Sequence, residues 1–175
     1  ECDWSSDVCS SDLERLQREP GARLRVLEIG AGTGGTSAVL FERLDAFADR
    51  VAEYTYTDLS KAFLFHAESR FGVGRPYLKT QCLDVTRPLA PQGVDLACYD
   101  IVVAANVLHA TPDVRAALRH AKSALKPGGV LLLNEISGNH LFTHLTFGLL
   151  DGWWLFEDDA LRLPGGPAQI GRAHV

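Results

Sequence analysis

Two residues in the second half of the chain, His109 and Glu135, have the side chains that general base chemistry needs. Glu135 lies near the end of the apolar run VLLLNEI, where a carboxylate is unusual because burying an unpaired charge is costly. An imidazole partner relieves that cost, and the carboxylate then orients the ring and fixes its tautomer. Such a pair can remove a proton from a carbon that lies next to two carbonyl groups. The alternative is a buried ion pair that only joins two strands.

A glycine-rich segment, EIGAGTGG at residues 28–35, forms a second candidate site. Glycine lets the backbone turn sharply and approach a ligand, and the start of the following helix offers free N–H groups. Gly30, Gly32 and Gly35 satisfy GxGxxG, the dinucleotide fingerprint, and Asp58 lies near the distance expected for its ribose acid. The segment alone therefore leaves a nicotinamide dinucleotide and other nucleoside cofactors open.

Three features favour S-adenosylmethionine as the cofactor. Gly34 extends the glycine pattern to ExGxGxG, and Glu28 could hold a cationic ammonium group directly or through water. The same carboxylate would repel the pyrophosphate of a dinucleotide. The third feature is the pair AANVLHA and LKPGGVLLL further along the chain. With these motifs, the sequence resembles a class I S-adenosylmethionine-dependent methyltransferase.

The elements that would position these residues alternate between strand and helix. Apolar runs predict strands over Arg25–Ile29, Glu53–Thr57, Tyr77–Val85, Tyr99–Ala105 and Val130–Ile136. Helical spacing predicts helices over Thr36–Leu44 and Lys61–Phe71, and a third helix with Thr111 as its N-cap that stops at residues 126–129. This alternation predicts an α/β fold, a Rossmann-like doubly wound parallel sheet with helices on both faces. Ligands bind such sheets at the carboxyl ends of the strands.

The methyltransferase resemblance implies a strand order of 3-2-1-4-5 and a role for each residue at those strand ends. Glu28, Gly30, Gly32 and Gly34 would form the cofactor turn. Asp58, with Leu59 beside it, would accept hydrogen bonds from the ribose hydroxyls. Asp84 and Val85 would meet the adenine, and Asn106 the methionine portion. Asp58 and Asp84 could instead be helix caps or turn residues.

One subfamily is matched more closely than the rest. The sequence from NVLHATPDV through LFTHLTFGLLDGWW to LRLPG resembles the carbon-methylating domain of modular polyketide synthases. The resemblance implies a β-ketoacyl substrate on the phosphopantetheine arm of an acyl carrier protein, with other synthase domains in the same chain. The products would be the α-methyl chain and S-adenosylhomocysteine (SAH). His109 would be the general base and Glu135 its orienting partner.

Two other functions stay open at this point. One is methyl transfer to oxygen or nitrogen on a small molecule, and the other is a degenerate, non-catalytic methyltransferase-like module. The aromatic residues that follow the site are also open to two interpretations: they could line an acyl tunnel or pack in the core, and we expect packing for at least two of them. They are Phe147, Trp153, Trp154 and Phe156. His140 and His144 could lie near the substrate.

The two ends of the chain carry segments that we expect to be foreign. One short DNA duplex, read in its two directions, encodes both IGRAHV at 170–175 and DVCSSD near the N-terminus. We interpret residues 1–13 as a disordered sequencing-adapter artefact and 170–175 as its counterpart, with a native tail as the alternative. Residues 14–169 would then be a partial methyltransferase core. Because the resemblance implies two further strands, we expect the sheet to lack its last two strands and the chain alone to be inactive.

Composition excludes several partners. A net charge of −5 argues against nucleic acid, which needs clustered Lys and Arg. The absence of about 18 consecutive apolar residues argues against a transmembrane helix. Cys82 and Cys98 lack the CxxC spacing of a zinc site, so we expect no metal and two reduced, buried thiols. These features predict a cytoplasmic domain without a membrane partner.

Overall fold

The computed structural model describes residues 21, 23–135, 141–149 and 151–167. The predictions made for residues 1–13, residues 170–175 and His140 fall outside these residues, and so does the side chain of His144. The chain has an α/β fold in which strands and helices alternate from residue 24 onward.

Five parallel strands form one sheet with the order β3-β2-β1-β4-β5. They are β1 (Leu24–Ile29), β2 (Val51–Asp58), β3 (Leu78–Cys82), β4 (Tyr99–Ala105) and β5 (Leu125–Asn134). The helices are α1 (Gly35–Leu44), α2 (Lys61–Phe71), α3 (Val114–Ser123) and α4 (Leu141–Phe147). Short 3₁₀ helices cover Asp45–Arg50, Ala90–Gln92, Leu108–Ala110, Asp151–Trp154 and Asp159–Leu161. None of the helices in the described ranges combines the length and apolarity needed to cross a bilayer.

The centre of the sheet is β1, which pairs with β2 on one side and β4 on the other. Val26 lies opposite Tyr54 in β2 and opposite Ile101 in β4. Successive residues of a strand point to opposite faces, so β1 contributes to two separate cores. Val26 packs with α1 and α2, whereas Leu27 packs with α3. Helices therefore cover both faces, and the predicted Rossmann-like fold class and strand order are confirmed.

The strand order reverses between β1 and β4, and this reversal opens a cleft at the carboxyl edge. The connections from β1 and β4 leave the sheet in opposite directions, one towards α1 and the other towards α3. Parallel strands end at the same edge, so the residues that follow them lie around one opening. The predicted site residues are at these ends.

Two predicted element boundaries were wrong. The N-cap of α3 is Asp113, whose side chain accepts a hydrogen bond from the Ala116 N–H, whereas Thr111 is the C-cap of the preceding 3₁₀ helix. Strand β5 begins at Leu125, opposite Tyr99, and residues 126–129 loop out before pairing resumes. The KPGG segment therefore interrupts a strand and does not separate it from a helix.

The edge position of β3 explains why the length of this strand and the burial of its cysteine differ from the prediction. The predicted third strand extended to Val85, but pairing with β2 ends at Cys82. Because β3 has a neighbour on one side only, the Cys82 side chain is exposed. Cys98 lies outside the sheet, in the turn before β4, and is only half-buried. The expectation of two buried thiols was therefore wrong.

Candidate active site

One carboxylate organises the turn that follows β4. We call residues 106–111 the His109 turn. Glu135 follows β5, and its Oε1 accepts hydrogen bonds from the N–H groups of Val107 at 3.0 Å and Leu108 at 2.7 Å. Its Oε2 accepts from the His109 N–H at 3.3 Å and contacts His109 Nδ1 at 2.8 Å. The structure thus brings the two predicted catalytic residues together, and Glu135 holds both the backbone and the ring of its partner.

The contact with Glu135 determines which ring nitrogen of His109 is free. A carboxylate is only an acceptor, so in the neutral imidazole Nδ1–H donates to Glu135 and Nε2 keeps its lone pair. The side chain is buried, with 8% of the residue exposed, and it meets the Trp153 ring edge-on with the ring centroids 5.7 Å apart. Phe147 stacks on the Trp153 ring, with the ring centroids 5.8 Å apart. The contacts with Glu135 and Trp153 therefore hold the His109 ring in a fixed orientation.

A cleft of about 260 Å³ opens beside the His109 turn. Six of the nine residues predicted to bind a cofactor line it: Gly30, Asp58, Leu59, Asp84, Val85 and Asn106. The other lining residues were not predicted: Ile29, Leu83, Thr86, Val107, Ala110 and Thr111. Each of these six is within five residues of a predicted one in the sequence, so the strand ends were the signal that could have found them. Among the described residues, no group of three or more His, Cys, Asp or Glu side chains is arranged to hold a metal ion.

Asp58 ends β2 and joins the glycine turn to the start of α2. Its Oδ2 accepts the Gly32 N–H at 2.9 Å, and its Oδ1 accepts the Ser60 N–H at 2.8 Å. Each carboxylate oxygen has a second lone pair, so Asp58 can hold this backbone and still accept hydrogen bonds from hydroxyl groups in the cleft. The residue is therefore both a turn residue and a candidate ribose acceptor.

We expect Asp58→Asn to weaken SAH binding by about 10-fold to 100-fold, which corresponds to the loss of one or two charge-assisted hydrogen bonds. The amide N–H₂ would face either the Gly32 or the Ser60 N–H, which disturbs the turn as well. Titration calorimetry with SAH measures the change. Asp95→Asn is the matched control, because Asp95 is exposed and pairs with Arg25 away from the cleft. Equal affinity of the two variants would contradict the assigned role.

Asp84 and Val85, which were predicted to meet the adenine, also line the cleft. Asp84 Oδ1 accepts hydrogen bonds from the Thr86 N–H at 2.9 Å and the Thr86 hydroxyl at 2.6 Å. The Gln92 side chain bonds both the N–H and the carbonyl of Asp84, which fixes the loop after β3. Asp84 is thus a turn residue, as one interpretation had it, and its contact with adenine stays a prediction.

Asn106 begins the His109 turn with a left-handed backbone, φ +55°. Asn tolerates this region better than most residues, at a cost of order 1–3 kcal/mol that is typical of strained functional positions. Its N–H donates to the Asn134 carbonyl at 2.7 Å, so the turn leaves β4 while still tied to β5. The side chain lines the cleft, where a role towards the methionine portion stays a prediction.

Glu28 lies under the glycine turn and does not line the cleft. It is 1% exposed, and its Oε2 accepts hydrogen bonds from the Ser37 and Tyr54 hydroxyls, both at 2.6 Å. Its Oε1 is buried without a hydrogen-bond partner among the described residues. Burial raises the pKa of Glu28, although the two hydroxyls oppose that shift. A buried acceptor without a donor fits a cationic group bound nearby, and that role stays a prediction.

We expect Glu28→Gln to raise the melting temperature of the domain at about pH 7.5 and to weaken SAH binding. A raised folded-state pKa means that Glu28 contributes stability below its unfolded pKa, and that this contribution is lost as pH rises through the folded pKa. Gln removes the buried charge, so the gain should vanish at about pH 4. Thermal unfolding at the two pH values tests this.

Glu53→Gln is the control for this prediction, with an effect of the opposite sign. Burial opposes ionisation of Glu53, but hydrogen bonds from Lys79 and Thr55 and the Arg25 charge lower its pKa to about 2. A lowered folded-state pKa contributes stability above the unfolded pKa, so Glu53→Gln should lower the melting temperature at about pH 7.5. Destabilisation of the same size in both variants would show that Glu28 is not a costly buried charge.

The glycine turn has the shape that close approach to a cofactor requires. Gly30, Gly32 and Gly34 have φ angles of +62°, +58° and +78°. A Cβ on Gly30 would lie 2.2 Å from Val107 Cγ2, so the turn packs directly against the His109 turn. The Tyr56 hydroxyl donates to the Gly32 carbonyl at 2.7 Å and holds the turn in place. These residues fit S-adenosylmethionine, with the turn and Asp58 to hold it.

The sheet order, the glycine turn and Asp58 at the end of β2 together define a class I S-adenosylmethionine-dependent methyltransferase. A family profile described as a methyltransferase domain matches residues 27–131. The chain therefore belongs to this methyltransferase family.

Polyketide synthases and carbon methyltransferases are among the proteins to which this chain is similar. The chain is 54% identical over 170 residues to polyketide synthase PksR of Bacillus subtilis (strain 168), covering 94% of this chain and 7% of that protein. It superposes on the DszA carbon methyltransferase with a TM-score of 0.84 and 40% identity, over 93% of this chain and 42% of that one. The trans-methyltransferase CalH, solved in complex with SAH, gives a TM-score of 0.76 at 40% identity, over 83% and 40%. The chain thus spans a small part of the curated relatives and about two fifths of the solved ones.

Proposed function

We propose that this chain is the carbon-methylating domain of a polyketide synthase and methylates the α-carbon of a β-ketoacyl chain. The substrate would be carried on the phosphopantetheine arm of an acyl carrier protein, beside the other synthase domains and in the cytoplasm. The observation that carries the proposal is the His109–Glu135 pair, in which Nδ1 and Oε2 lie 2.8 Å apart. The pair does not itself line the cleft, but it belongs to the turn whose residues Asn106, Val107, Ala110 and Thr111 do. The relatives that are synthases or carbon methyltransferases support the same acceptor.

The chemistry needs a base because carbon acceptors are weak acids. When bound, S-adenosylmethionine supplies an electrophilic methyl group on its sulfonium. His109 Nε2 takes the α-proton of the β-ketoacyl group, and the resulting enolate carbon becomes the nucleophile. The imidazolium that forms is stabilised by the Glu135 carboxylate at Nδ1. Burial of His109 and Trp153 excludes water from this proton transfer. A hydroxyl or amine acceptor would need less help from a base.

The experiment offers a β-ketoacyl thioester on acyl carrier protein, together with S-adenosylmethionine, to the full-length protein. Mass spectrometry should show the gain of one methyl group, and fragmentation should place it on the α-carbon. The matched control is the α,α-dimethyl analogue, which has no removable α-proton and should not react. Methylation of that analogue would show that the methyl group goes to a position other than the α-carbon and would contradict the proposal.

A further inference from the structure

We infer that Arg162, which sequence analysis did not single out, is a positioning residue for His109; the inference rests on the proposed function. Arg162 follows the last 3₁₀ helix and is buried, at 3% exposed. Its guanidinium donates from Nη1 to the His109 carbonyl at 2.9 Å and from Nη2 to the Thr111 carbonyl at 2.8 Å. The two carbonyls lie two residues apart in the second half of the His109 turn, so a single planar group bridges them.

Arg162 and Glu135 hold the backbone of His109 from opposite sides. The His109 N–H donates to Glu135, and the His109 carbonyl accepts from Arg162. Because both peptide groups of the residue are held, the direction of its Cα–Cβ bond is set, and the ring contact with Glu135 then sets the side chain. The N–H groups of a guanidinium have fixed directions, so the group can donate to two carbonyls at once. A lysine ammonium on its flexible stem would hold two carbonyls less rigidly.

A carboxylate anchors Arg162 to the start of α3. Asp158 Oδ1 lies 2.5 Å from Arg162 Nε, and Asp158 Oδ2 accepts the Val114 N–H at 2.8 Å. Arg162 Nη1 also donates to the Pro167 carbonyl at 3.0 Å, and the guanidinium lies over the Phe156 ring. Burying an ion pair contributes little net stability compared with apolar packing, so stability alone does not explain an arginine here. Holding the His109 turn gives it a function.

The test compares Arg162→Lys with Arg75→Lys in the full-length protein. Arg75 is the matched control, because its guanidinium also bonds one carboxylate, of Asp45, and one backbone carbonyl, of Phe71. Three quantities are measured: the affinity for SAH, the rate of α-proton exchange of a β-ketoacyl thioester in D₂O with SAH bound, and backbone amide exchange by mass spectrometry. The proton exchange reports the base step without methyl transfer.

We expect Arg162→Lys to lower the maximal rate of α-proton exchange by about 10-fold to 100-fold, because small misplacements of a reacting group have effects of this size. The KM for the thioester and the SAH affinity should stay within about threefold of wild type. Amide exchange should rise in peptides covering residues 106–111 and stay unchanged in peptides covering residues 28–35. Arg75→Lys should alter none of these quantities.

Several outcomes would overturn the inference. A wild-type exchange rate in Arg162→Lys would do so, and so would a loss of SAH affinity in proportion to the rate, which indicates a general structural role. If the wild-type protein binds SAH but does not exchange the α-proton of the thioester, the proposed function is wrong. The inference about Arg162 is then tested by amide exchange, and unchanged amide exchange in residues 106–111 of Arg162→Lys would overturn it. If Arg162→Lys does not fold, Asp158→Asn replaces it, with the same pattern expected at a smaller size; no change there overturns the inference.

Discussion

Replacement of His109 by asparagine is expected to slow both α-proton exchange and methyl transfer by about 10²-fold to 10⁴-fold, the usual contribution of a general base. Asparagine can still donate a side-chain N–H towards Glu135 Oε2, which lies 2.8 Å from Nδ1 in the native pair. The turn should therefore persist, because Glu135 also accepts from the N–H groups of Val107 and Leu108. SAH affinity should remain within about twofold, since the cleft itself is unchanged.

The measurement for His109→Asn pairs product analysis with SAH calorimetry, and His66→Asn is the control. His66 is exposed on α2, away from the His109 turn, so its replacement should leave both quantities unchanged. Retained activity in His109→Asn would favour an oxygen or nitrogen acceptor, which needs no such base. A wild-type protein that releases no heat with SAH would indicate the degenerate, non-catalytic module.

Replacement of Gly30 by alanine is expected to abolish measurable SAH binding, with a loss of at least about 100-fold. The new Cβ would lie 2.2 Å from Val107 Cγ2 and 2.8 Å from Val107 Cβ, and the φ of +62° adds a strain of about 1–2 kcal/mol. Because Gly30 and Val107 both line the cleft, relieving this clash moves its walls apart. The activity measured with S-adenosylmethionine should fall in parallel.

Gly32→Ala separates the two causes of the lost SAH binding, the steric clash and the backbone strain. Its φ is +58°, close to that of Gly30, but a Cβ there meets no heavy atom within 4 Å. The variant should therefore show the backbone strain alone, with a loss of about 10-fold. Val107→Ala should restore part of the binding of Gly30→Ala, because it removes the Cγ2 contact while the contact with the Val107 Cβ remains. Equal losses in both alanine variants, with no rescue, would show that the clash is unimportant.

The elements with local signals were predicted most closely. Strand β4 and helix α2 have the bounds that the sequence predicted, because a continuous apolar run and a helical stripe ended by glycine are readable without tertiary contacts. Alternation of strand and helix was sufficient for the fold class, since parallel strands need covered crossovers. Asp58 and Asp84 were expected to lie close together because the carboxyl ends of parallel strands meet at one edge of the sheet, and both line the cleft.

Features that depend on distant partners were not predictable in this way. Asp113 and Thr111 are both good N-cap types, so the local sequence does not choose between them. In the structure the start of α3 is also held by Asp158, which accepts the Val114 N–H from 44 residues away. Phe63 and Leu64 are neighbours on α2, yet Phe63 is 37% exposed while Leu64 is buried, because the packing of α2 on β2 sets the rotation of the helix.

The four aromatic residues that follow the site differ in burial, and only the tertiary packing determines which of them is buried. Trp153 is buried against the His109 ring and Phe156 lies half-buried under Arg162, whereas Phe147 and Trp154 are about half exposed. Only Trp153 of the four is buried, so the expectation that at least two of them pack in the core was wrong, and nothing in their spacing indicated which one would.

By itself, the sequence determined the order of the elements, the glycine turn and the residue types at each strand end. Tertiary structure decided that Glu28 points into the core, that Glu135 holds three backbone N–H groups as well as a ring, and that Arg162 bridges two carbonyls of the His109 turn. Local patterns reflect the preferences of neighbouring residues for a backbone conformation. A buried polar side chain instead finds its partner among groups tens of residues away, and the pairing forms only where the completed fold makes leaving either group unpaired too costly.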